Sequence, residues 1–127
     1  MTVAGIGIDV ANVDRVSRLY AARGDRFAAR WFTTEELAQC RCAVDTGGSL
    51  AVRFTAKEAV WKALGAPTRG PLPWREISVI DMGSQLHVEL SGSVQALAES
   101  LRIGGVHVSA ERRGRLAIAF AVVTNRS

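Results

Sequence analysis

The chain has 127 residues, 48% of them hydrophobic, which predicts one domain (residues 1–127) with a modest core. The formal net charge of +4 indicates an acidic partner: nucleic acid, an acidic protein or a multiply phosphorylated small molecule. No apolar run is long enough to span a membrane, and the N-terminus lacks the basic-then-apolar pattern of a secretion signal. We therefore expect a cytoplasmic protein with no membrane partner.

The first predicted element is a strand over residues 3–10. One of its faces is apolar, and the other carries Gly5, Gly7 and then Asp9. Two glycines weaken a strand, so we expect something to approach this face closely, for example a phosphate-bearing ligand. The alternative is a glycine-tolerant edge strand whose Asp9 simply precedes a helix.

A helix is predicted next, from a cap at Asn12 to a stop at Gly24. Its outward face carries Arg15 and Arg18. This face can be an ordinary solvated surface, but its arginines also suit an acidic partner. Because no aromatic residues are interleaved with them, as single-stranded nucleic acid would require, an acidic helical protein is favoured over nucleic acid.

The following helix is marked by a capping box and by two cysteines. Thr33 and Glu36 form the box, and the helix is predicted to run to about Cys42. Cys40 and Cys42 are one residue apart, which suits neither an intrachain disulfide nor, with both histidines far away in sequence, a zinc site. We expect reduced thiols.

Residues 50–65 predict a helix that is apolar or small almost all round but contains four charges. At about 100° per residue, Lys57 lies within the apolar stripe, Glu58 and Lys62 share one flank, and Arg53 is on the other flank. Buried charges need partners or a function. The purely structural alternative is an ion pair between Glu58 and Lys62, with the other two cations reaching water by their ends.

The C-terminal half predicts a loop and two hairpins. Three prolines and a glycine rule out regular structure over residues 66–74. The expected fold class is α+β, a small antiparallel sheet with helices packed on it. The paired segments are 76–81 with 86–91 and 106–111 with 116–124, and a helix over 94–102 lies between them.

Three motifs occur together in a fixed order: Gly5-Ile-Gly-Ile-Asp9 with Arg15, then Phe32-Thr-Thr-Glu-Glu36, then Arg53-Phe-Thr-Ala-Lys-Glu-Ala-Val-Trp-Lys-Ala-Leu-Gly65. The combination resembles the holo-acyl-carrier-protein synthases, the small class of 4′-phosphopantetheinyl transferases, over nearly the whole chain. The resemblance implies an enzyme that transfers the 4′-phosphopantetheine group of coenzyme A to a serine of an apo acyl carrier protein. Adenosine 3′,5′-bisphosphate is released.

The resemblance also implies a catalytic group. Asp9 and Glu58 are the expected ligands of Mg²⁺, and Lys62 is expected beside them. Arg53, Lys57 and Lys62 are the expected donors to the phosphates of the substrate, coenzyme A.

Further roles follow from the same resemblance. Arg15 and Arg18 are expected to bind the acidic carrier protein, and Glu36 is a second-rank candidate near the active site. The family implies a homotrimer whose sites lie at subunit boundaries, with Asp9 and Glu58 from one protomer and part of the nucleotide pocket from its neighbour.

Two departures from the family pattern concern the nucleotide. Ala110 stands where the family typically has a histidine near the coenzyme A phosphates, and Gly83-Ser-Gln85 replaces a Gly-x-Pro segment. Either one phosphate contact is missing, or Arg112, Arg113 or Arg115 of the adjacent turn supplies it.

These departures keep a second function open, a degenerate module that binds coenzyme A or a carrier protein with little turnover. The presence of both Asp9 and Glu58 favours the enzyme. A nucleic-acid-binding protein fits less well, because the sequence offers no recognition helix, zinc knuckle or aromatic platform. The pattern does not distinguish fatty-acid, polyketide and peptidyl carriers.

Overall fold

The computed structural model describes residues 1–67 and 71–126. In the described chain one strand is followed by three helices, a short 3₁₀ turn at Trp74–Glu76, a hairpin, a fourth helix and a second hairpin. The helices are α1 (Val13–Trp31), α2 (Thr34–Arg41), α3 (Thr46–Ala63) and α4 (Gly92–Ser100). The strands are β1 (Val3–Asn12), β2 (Ile77–Asp81), β3 (Leu86–Leu90), β4 (Ile103–Arg113) and β5 (Leu116–Asn125).

The strands form two antiparallel sheets. A three-stranded sheet has the order β1-β5-β4, and β2 and β3 form a separate two-stranded sheet. α3 lies across the inner face of the larger sheet and contacts β1, β5 and β4. This confirms the α+β class and both hairpins, although the strands do not join in one sheet as we had expected.

The glycines of β1 allow α3 to lie directly on the sheet. A Cβ atom added at Gly7 would lie 1.9 Å from the carbonyl oxygen of Ala59, and one at Gly5 would lie 1.9 Å from that of Ala63. The close neighbour expected at this strand face is therefore the backbone of α3, and not a phosphate-bearing ligand. The same contact brings Asp9, two residues after Gly7, to the side of α3.

The larger sheet has one covered face and one bare face. On β5 the inward residues Ala117, Ala119 and Ala121 are at most 1% exposed beneath α3. The outward face of β1 and β5 carries five large apolar side chains that are at least 36% exposed in the single chain: Ile6, Ile8, Val10, Ile118 and Phe120. The described chain therefore leaves a continuous apolar surface on the outside of β1 and β5.

Helix α1 does not stop at Gly24 as predicted. Gly24 has φ 60° and ψ −145°, a backbone conformation that favours glycine, so the helix breaks there and resumes as far as Trp31. The resumed segment packs Phe27 and Trp31 inward, and Trp31 makes an edge contact with Phe54 of α3 at a centroid distance of 5.1 Å. The burial of these rings explains why the helix continues.

Other boundaries differ for identifiable reasons. α3 begins at Thr46, four residues before the predicted start, because the Asp45 side chain accepts a hydrogen bond from the Gly48 amide and caps it. The capping box of α2 is present as predicted. Residues 68–70 of the predicted 66–74 loop lie outside the described residues. Within the described part of the chain, no helix is long and apolar enough to cross a membrane.

Candidate active site

Asp9, Glu58 and Lys62 meet where the end of β1 passes α3. Glu58 and Lys62 are one helical turn apart on the side of α3 that faces β1. Lys62 Nζ lies 2.6 Å from Asp9 Oδ1, and Asp9 and Glu58 share a side-chain hydrogen bond. The structural alternative, an ion pair between Glu58 and Lys62, is not found among the described contacts, because Lys62 reaches Asp9 instead.

The Asp9 carboxylate raises the cost of ionising Glu58. The pKa of Glu58 is raised from its ordinary value of 4.5 to about 7, chiefly by burial and then by the negative charge and hydrogen bond of Asp9. The Asp9 carboxylate in turn raises the pKa of the Lys62 ammonium. With two carboxyl groups and one ammonium, the cluster when ionised is one negative charge in excess and attracts a cation.

The donor set fits a hard divalent cation with few protein ligands. Two carboxylates converge at the cluster, and the described residues contain no group of three or more histidine, cysteine or acidic side chains that could hold a metal. Mg²⁺ is typically bound by one or two carboxylates, with water and substrate phosphates completing its octahedron. Asp9 and Glu58 match that pattern.

A cavity of about 430 Å³ opens beside the acidic pair. Its walls are apolar apart from Asp9, Glu58, Asn12 and Arg15. Sequence reasoning missed its aromatic walls, although a Phe27–Trp31 spacing of one helical turn after Gly24 was a usable signal. The apolar lining residues are Val10, Ala11, Val16, Leu19, Phe27, Trp31, Phe32 and Phe54.

Lys57 does not reach the site. Its side chain is fully buried, and its Nζ donates to Glu36 Oε1 at 2.6 Å, to the Trp74 carbonyl at 2.9 Å and to the Ile77 carbonyl. These three acceptors use all three ammonium protons. The expectation that Lys57 binds phosphate is therefore wrong in this structure, as is the alternative that its end reaches water.

Glu36 is also closed to ligands. It is 0% exposed, and besides Lys57 it accepts hydrogen bonds from the Thr33 amide at 2.9 Å and from the Val79 amide at 2.9 Å. The capping box predicted from the sequence is thus one part of a larger buried network. Glu36 does not lie at the acidic pair.

Arg53 lies on the opposite flank of α3 from Glu58, as its position in the helix predicts. It is 7% exposed and donates to Ser49 Oγ at 2.7 Å and to Gln39 Oε1 at 2.8 Å. Its Nε has no hydrogen-bond partner, and no carboxylate among the described residues pairs with it. Arg53 is therefore a buried cation with neutral partners, separated from Asp9 by the body of the helix.

Arg15 and Arg18 are both exposed on α1, as expected. Arg15 lies on the wall of the cavity that contains Asp9 and Glu58. Arg18 Nε donates to the backbone carbonyl of Asp14 at 3.3 Å. A positively charged helix face therefore borders the cavity.

The two departures from the family pattern meet in a second cavity of about 380 Å³, which is lined by Gly83, Ser84, Gln85 and Ala110 among others. Ala110 of β4 pairs with Ala119 of β5, which pairs in turn with Asp9 of β1, so the three residues form a cross-strand row on the inner face of the sheet. α3 covers the middle of that row, so the second cavity and the acidic pair lie on opposite sides of the helix.

Arg112 and Arg113 are the last residues of β4 and not part of the turn as expected, and all three arginines at this end of the hairpin lie near carboxylates. Arg112 pairs with Asp45 at 2.5 Å, and Arg113 pairs with Glu111 at 3.0 Å. Arg115 Nε is 3.6 Å from Asp14 Oδ2. Side chains alternate between the two faces of a strand, so Arg112, two residues after Ala110, lies on the same face of β4 as Ala110.

Comparison with known proteins shows the family of the chain. The sequence model of the 4′-phosphopantetheinyl transferase superfamily matches residues 5–120. A holo-[acyl-carrier-protein] synthase of Chlamydia muridarum is 43% identical, and the match covers 97% of this chain and 98% of that protein. The chain therefore belongs to the holo-acyl-carrier-protein synthases of the 4′-phosphopantetheinyl transferase superfamily.

Solved structures have the same fold. The crystal structure of the Neisseria meningitidis holo-[acyl-carrier-protein] synthase superposes with a TM-score of 0.86 at 30% identity, covering 98% of this chain and 100% of that chain. The Helicobacter pylori synthase, solved in complex with coenzyme A, superposes with a TM-score of 0.80 at 25% identity, covering 94% and 99%. Coenzyme A binding is thus associated with this fold in the Helicobacter pylori relative.

Proposed function

We propose that the protein is a holo-acyl-carrier-protein synthase that transfers the 4′-phosphopantetheine group of coenzyme A to a serine of an apo acyl carrier protein. The serine hydroxyl gives up its proton to a carboxylate or to water, and its oxygen forms a bond to the phosphorus that carries the pantetheine arm. The bond from that phosphorus to the bridging oxygen breaks, and adenosine 3′,5′-bisphosphate leaves. We propose that this domain spans residues 1–127 and acts in the cytoplasm, which fits two free cysteines.

The observation that carries this proposal is the contact of Asp9 with Glu58 beside Lys62. A binding module with little turnover has no need for two carboxyl groups close enough to share a hydrogen bond. Family membership makes phosphoryl transfer the chemistry that such a pair would serve. The pair therefore favours the enzyme over the binding module, even with Ala110 in the second cavity, which we propose as the nucleotide cavity.

We propose that Asp9 and Glu58 hold Mg²⁺. When bound, the ion would neutralise charge on the pyrophosphate and on the leaving phosphate. Lys62 is 46% exposed at its side chain, so its ammonium can turn from Asp9 to a substrate phosphate oxygen. Arg53 is proposed as a second phosphate ligand, since it is buried without a carboxylate partner among the described residues.

We propose that α1 docks the carrier protein through Arg15 and Arg18. Arg15 belongs to the same cavity as the acidic pair, so an acidic helix bound along α1 would hold its serine near Asp9 and Glu58. Exposed complementary charges guide encounter and are screened by salt.

We further propose a homotrimer. The outer face of β1 and β5 is apolar and open in the single chain, and a strand that is apolar on both faces needs cover on each side. In one protomer, α3 separates Arg53 and the second cavity from the acidic pair. Packing of three copies around these sheet faces would bury the apolar surface and bring one protomer's nucleotide cavity to its neighbour's acidic pair.

Mass spectrometry tests the transfer. We expect a purified apo acyl carrier protein, incubated with this protein, coenzyme A and Mg²⁺, to gain the mass of phosphopantetheine on its serine. The same mixture with EDTA, or with the serine replaced by alanine, controls for metal dependence and for the attachment site. Absence of the adduct with every carrier type would leave the binding module as the better description.

Light scattering on the same active preparation tests the assembly. The chain has a mass of 13.6 kDa, and we expect about three times that value. Full turnover at the mass of one chain would contradict the shared site. A matched variant, Phe120→Asp in the middle of the bare face, should dissociate the assembly and lower activity together.

A further inference from the structure

Lys57 and Ala59, the neighbours of Glu58 in sequence, are held by contacts on opposite sides of α3. Ala59 lies against β1, where Gly7 allows its backbone to approach the strand. Lys57 points away from β1 into the buried network with Glu36. Successive helical residues are about 100° apart, so Glu58 projects between these two attachments. Its direction therefore depends on both.

The Lys57 attachment is directional. Its ammonium is bonded to Glu36 of α2 and to the carbonyls of Trp74 and Ile77, which lead into β2. Glu36 is tied in turn to the Val79 amide of β2 at 2.9 Å. Each bond has a preferred length and angle, so together they restrict rotation of α3 about its axis more narrowly than apolar packing does.

Stability alone gives little reason for this arrangement. Replacing a buried ion pair with well-packed apolar side chains of similar volume is often neutral or stabilising. The network is nevertheless complete, since Lys57 uses all its donors and both Glu36 oxygens accept hydrogen bonds. A saturated network of this kind is well suited to fixing a position.

We propose that Lys57, through Glu36, is a positioning residue for the Asp9–Glu58 pair. It holds α3 at the rotation at which the Glu58 carboxyl group meets that of Asp9. It touches neither substrate nor metal. The inference rests on the proposed function, because the geometry that Lys57 controls is that of the proposed cation site.

The test measures cation binding without substrates or turnover. Mn²⁺ serves as the probe, and its dissociation constant is obtained from the electron paramagnetic resonance signal of the free ion. Two variants change the network: Lys57→Met, and the pair Lys57→Met with Glu36→Gln, which avoids leaving an unpaired buried carboxylate. We expect the Mn²⁺ dissociation constant to rise about 10-fold or more, as for other groups that orient metal ligands.

Leu50→Ala is the matched control. Leu50 is fully buried on the same helix and is not part of the network, so this variant lowers the melting temperature without changing the bonds of Lys57. Measured well below its melting temperature, it should bind Mn²⁺ like the wild type. If Leu50→Ala weakened binding as much as the paired variant, the effect would be one of general stability and the positioning role would be wrong.

Wild-type Mn²⁺ affinity in the folded paired variant would also overturn the inference. If neither network variant folds, Thr33→Val is the substitute, because it keeps both charges and removes the hydroxyl that touches Glu36. An unchanged Mn²⁺ affinity of the Thr33→Val variant would then decide against the inference. The mass-spectrometric assay separates the two proposals. If the wild type forms the adduct while the variants bind Mn²⁺ normally, only the positioning role fails; if the wild type neither forms it nor binds Mn²⁺, both fail.

Discussion

Helix α3 carries two clusters of lysine and carboxylate that differ in almost every physical respect. Lys57 and Glu36 are both 0% exposed, and every polar group of the pair is satisfied by protein. Lys62 and Asp9 are 46% and 11% exposed, and Glu58 adds a second carboxyl group that forms no ion pair within residues 1–67 and 71–126. Both clusters contain a lysine and a carboxylate, so residue type alone does not define a site. What distinguishes the cluster at Asp9 is that its carboxyl groups lie next to a cavity and can still accept further bonds.

The largest effect expected from this comparison is on turnover. Asp9→Ala or Glu58→Ala should lower kcat/KM by about a thousandfold or more, because loss of a metal ligand removes several kcal/mol of charge stabilisation. Steady-state kinetics with circular dichroism checks activity and folding together. Glu99→Ala, an exposed carboxylate of α4, is the control. A folded Glu58→Ala protein with normal turnover at limiting Mg²⁺ would exclude the metal assignment.

The second prediction compares the two lysines by stability. Lys57→Met should lower the free energy of unfolding by about 3–5 kcal/mol, because Glu36 is left as a buried carboxylate without its partner. Lys62→Met removes a partly exposed partner and should cost less than about 1 kcal/mol. Urea denaturation measures both. Equal losses would mean that the two clusters do not differ as their burial indicates.

A third prediction concerns the second cavity, the proposed nucleotide site across α3 from the acidic pair. Ala110→His should lower the Michaelis constant for coenzyme A about tenfold or more, since one charge-assisted phosphate contact is worth roughly 1.5–3 kcal/mol. Ala110→Leu controls for size alone. The companion variants Arg113→Ala and Arg115→Ala should have little effect, since both arginines are paired with carboxylates. If none of these changes altered coenzyme A affinity, this end of β4 would not contact the nucleotide.

A smaller effect is expected at the edge of the first cavity. Arg15→Glu should reduce kcat/KM for the carrier protein several-fold and leave coenzyme A binding nearly unchanged, and added salt should reproduce part of the defect. Kinetics with each substrate varied in turn measures the split. Arg75→Glu, exposed and outside the cavity, is the control. Equal losses toward both substrates would contradict a docking role.

The smallest effect is a gradual dependence of stability on pH. The pKa of Glu58 in the metal-free fold is about 7, above its ordinary 4.5, so the folded protein holds this proton more tightly than the unfolded chain. The resulting stability is fully present below about pH 4.5 and is lost as pH rises through 7. Thermal melts in EDTA should show this decline, and Glu58→Gln should flatten it.

Added Mg²⁺ should oppose the same decline, because a bound cation favours ionised carboxylates. Glu99→Gln serves as the control and should keep the wild-type profile. A metal-free protein whose melting temperature did not fall between these pH values would show that the Glu58 carboxyl group is not held against Asp9 in solution.

Much of the fold was predictable because its signals are local. The cap at Asn12, the capping box of Thr33 and Glu36, and both hairpins depend on residues close together in sequence, and each was confirmed. The family resemblance predicted Asp9 and Glu58 as a pair, and the fold brings them into contact. Their role in catalysis stays a prediction.

The sequence could not determine which elements of the fold surround each charged residue of α3. Lys57, Glu58 and Lys62 are three charged residues within two turns of one helix, and their spacing shows only that they face different directions. Whether a direction leads to solvent, to a cavity or into the core is decided by the elements packed around α3. Only the tertiary structure places Lys57 against Glu36 and two backbone carbonyls, which are 17 to 21 residues away in the chain. It also places Glu58 beside Asp9, where its carboxyl group can still bind a further partner.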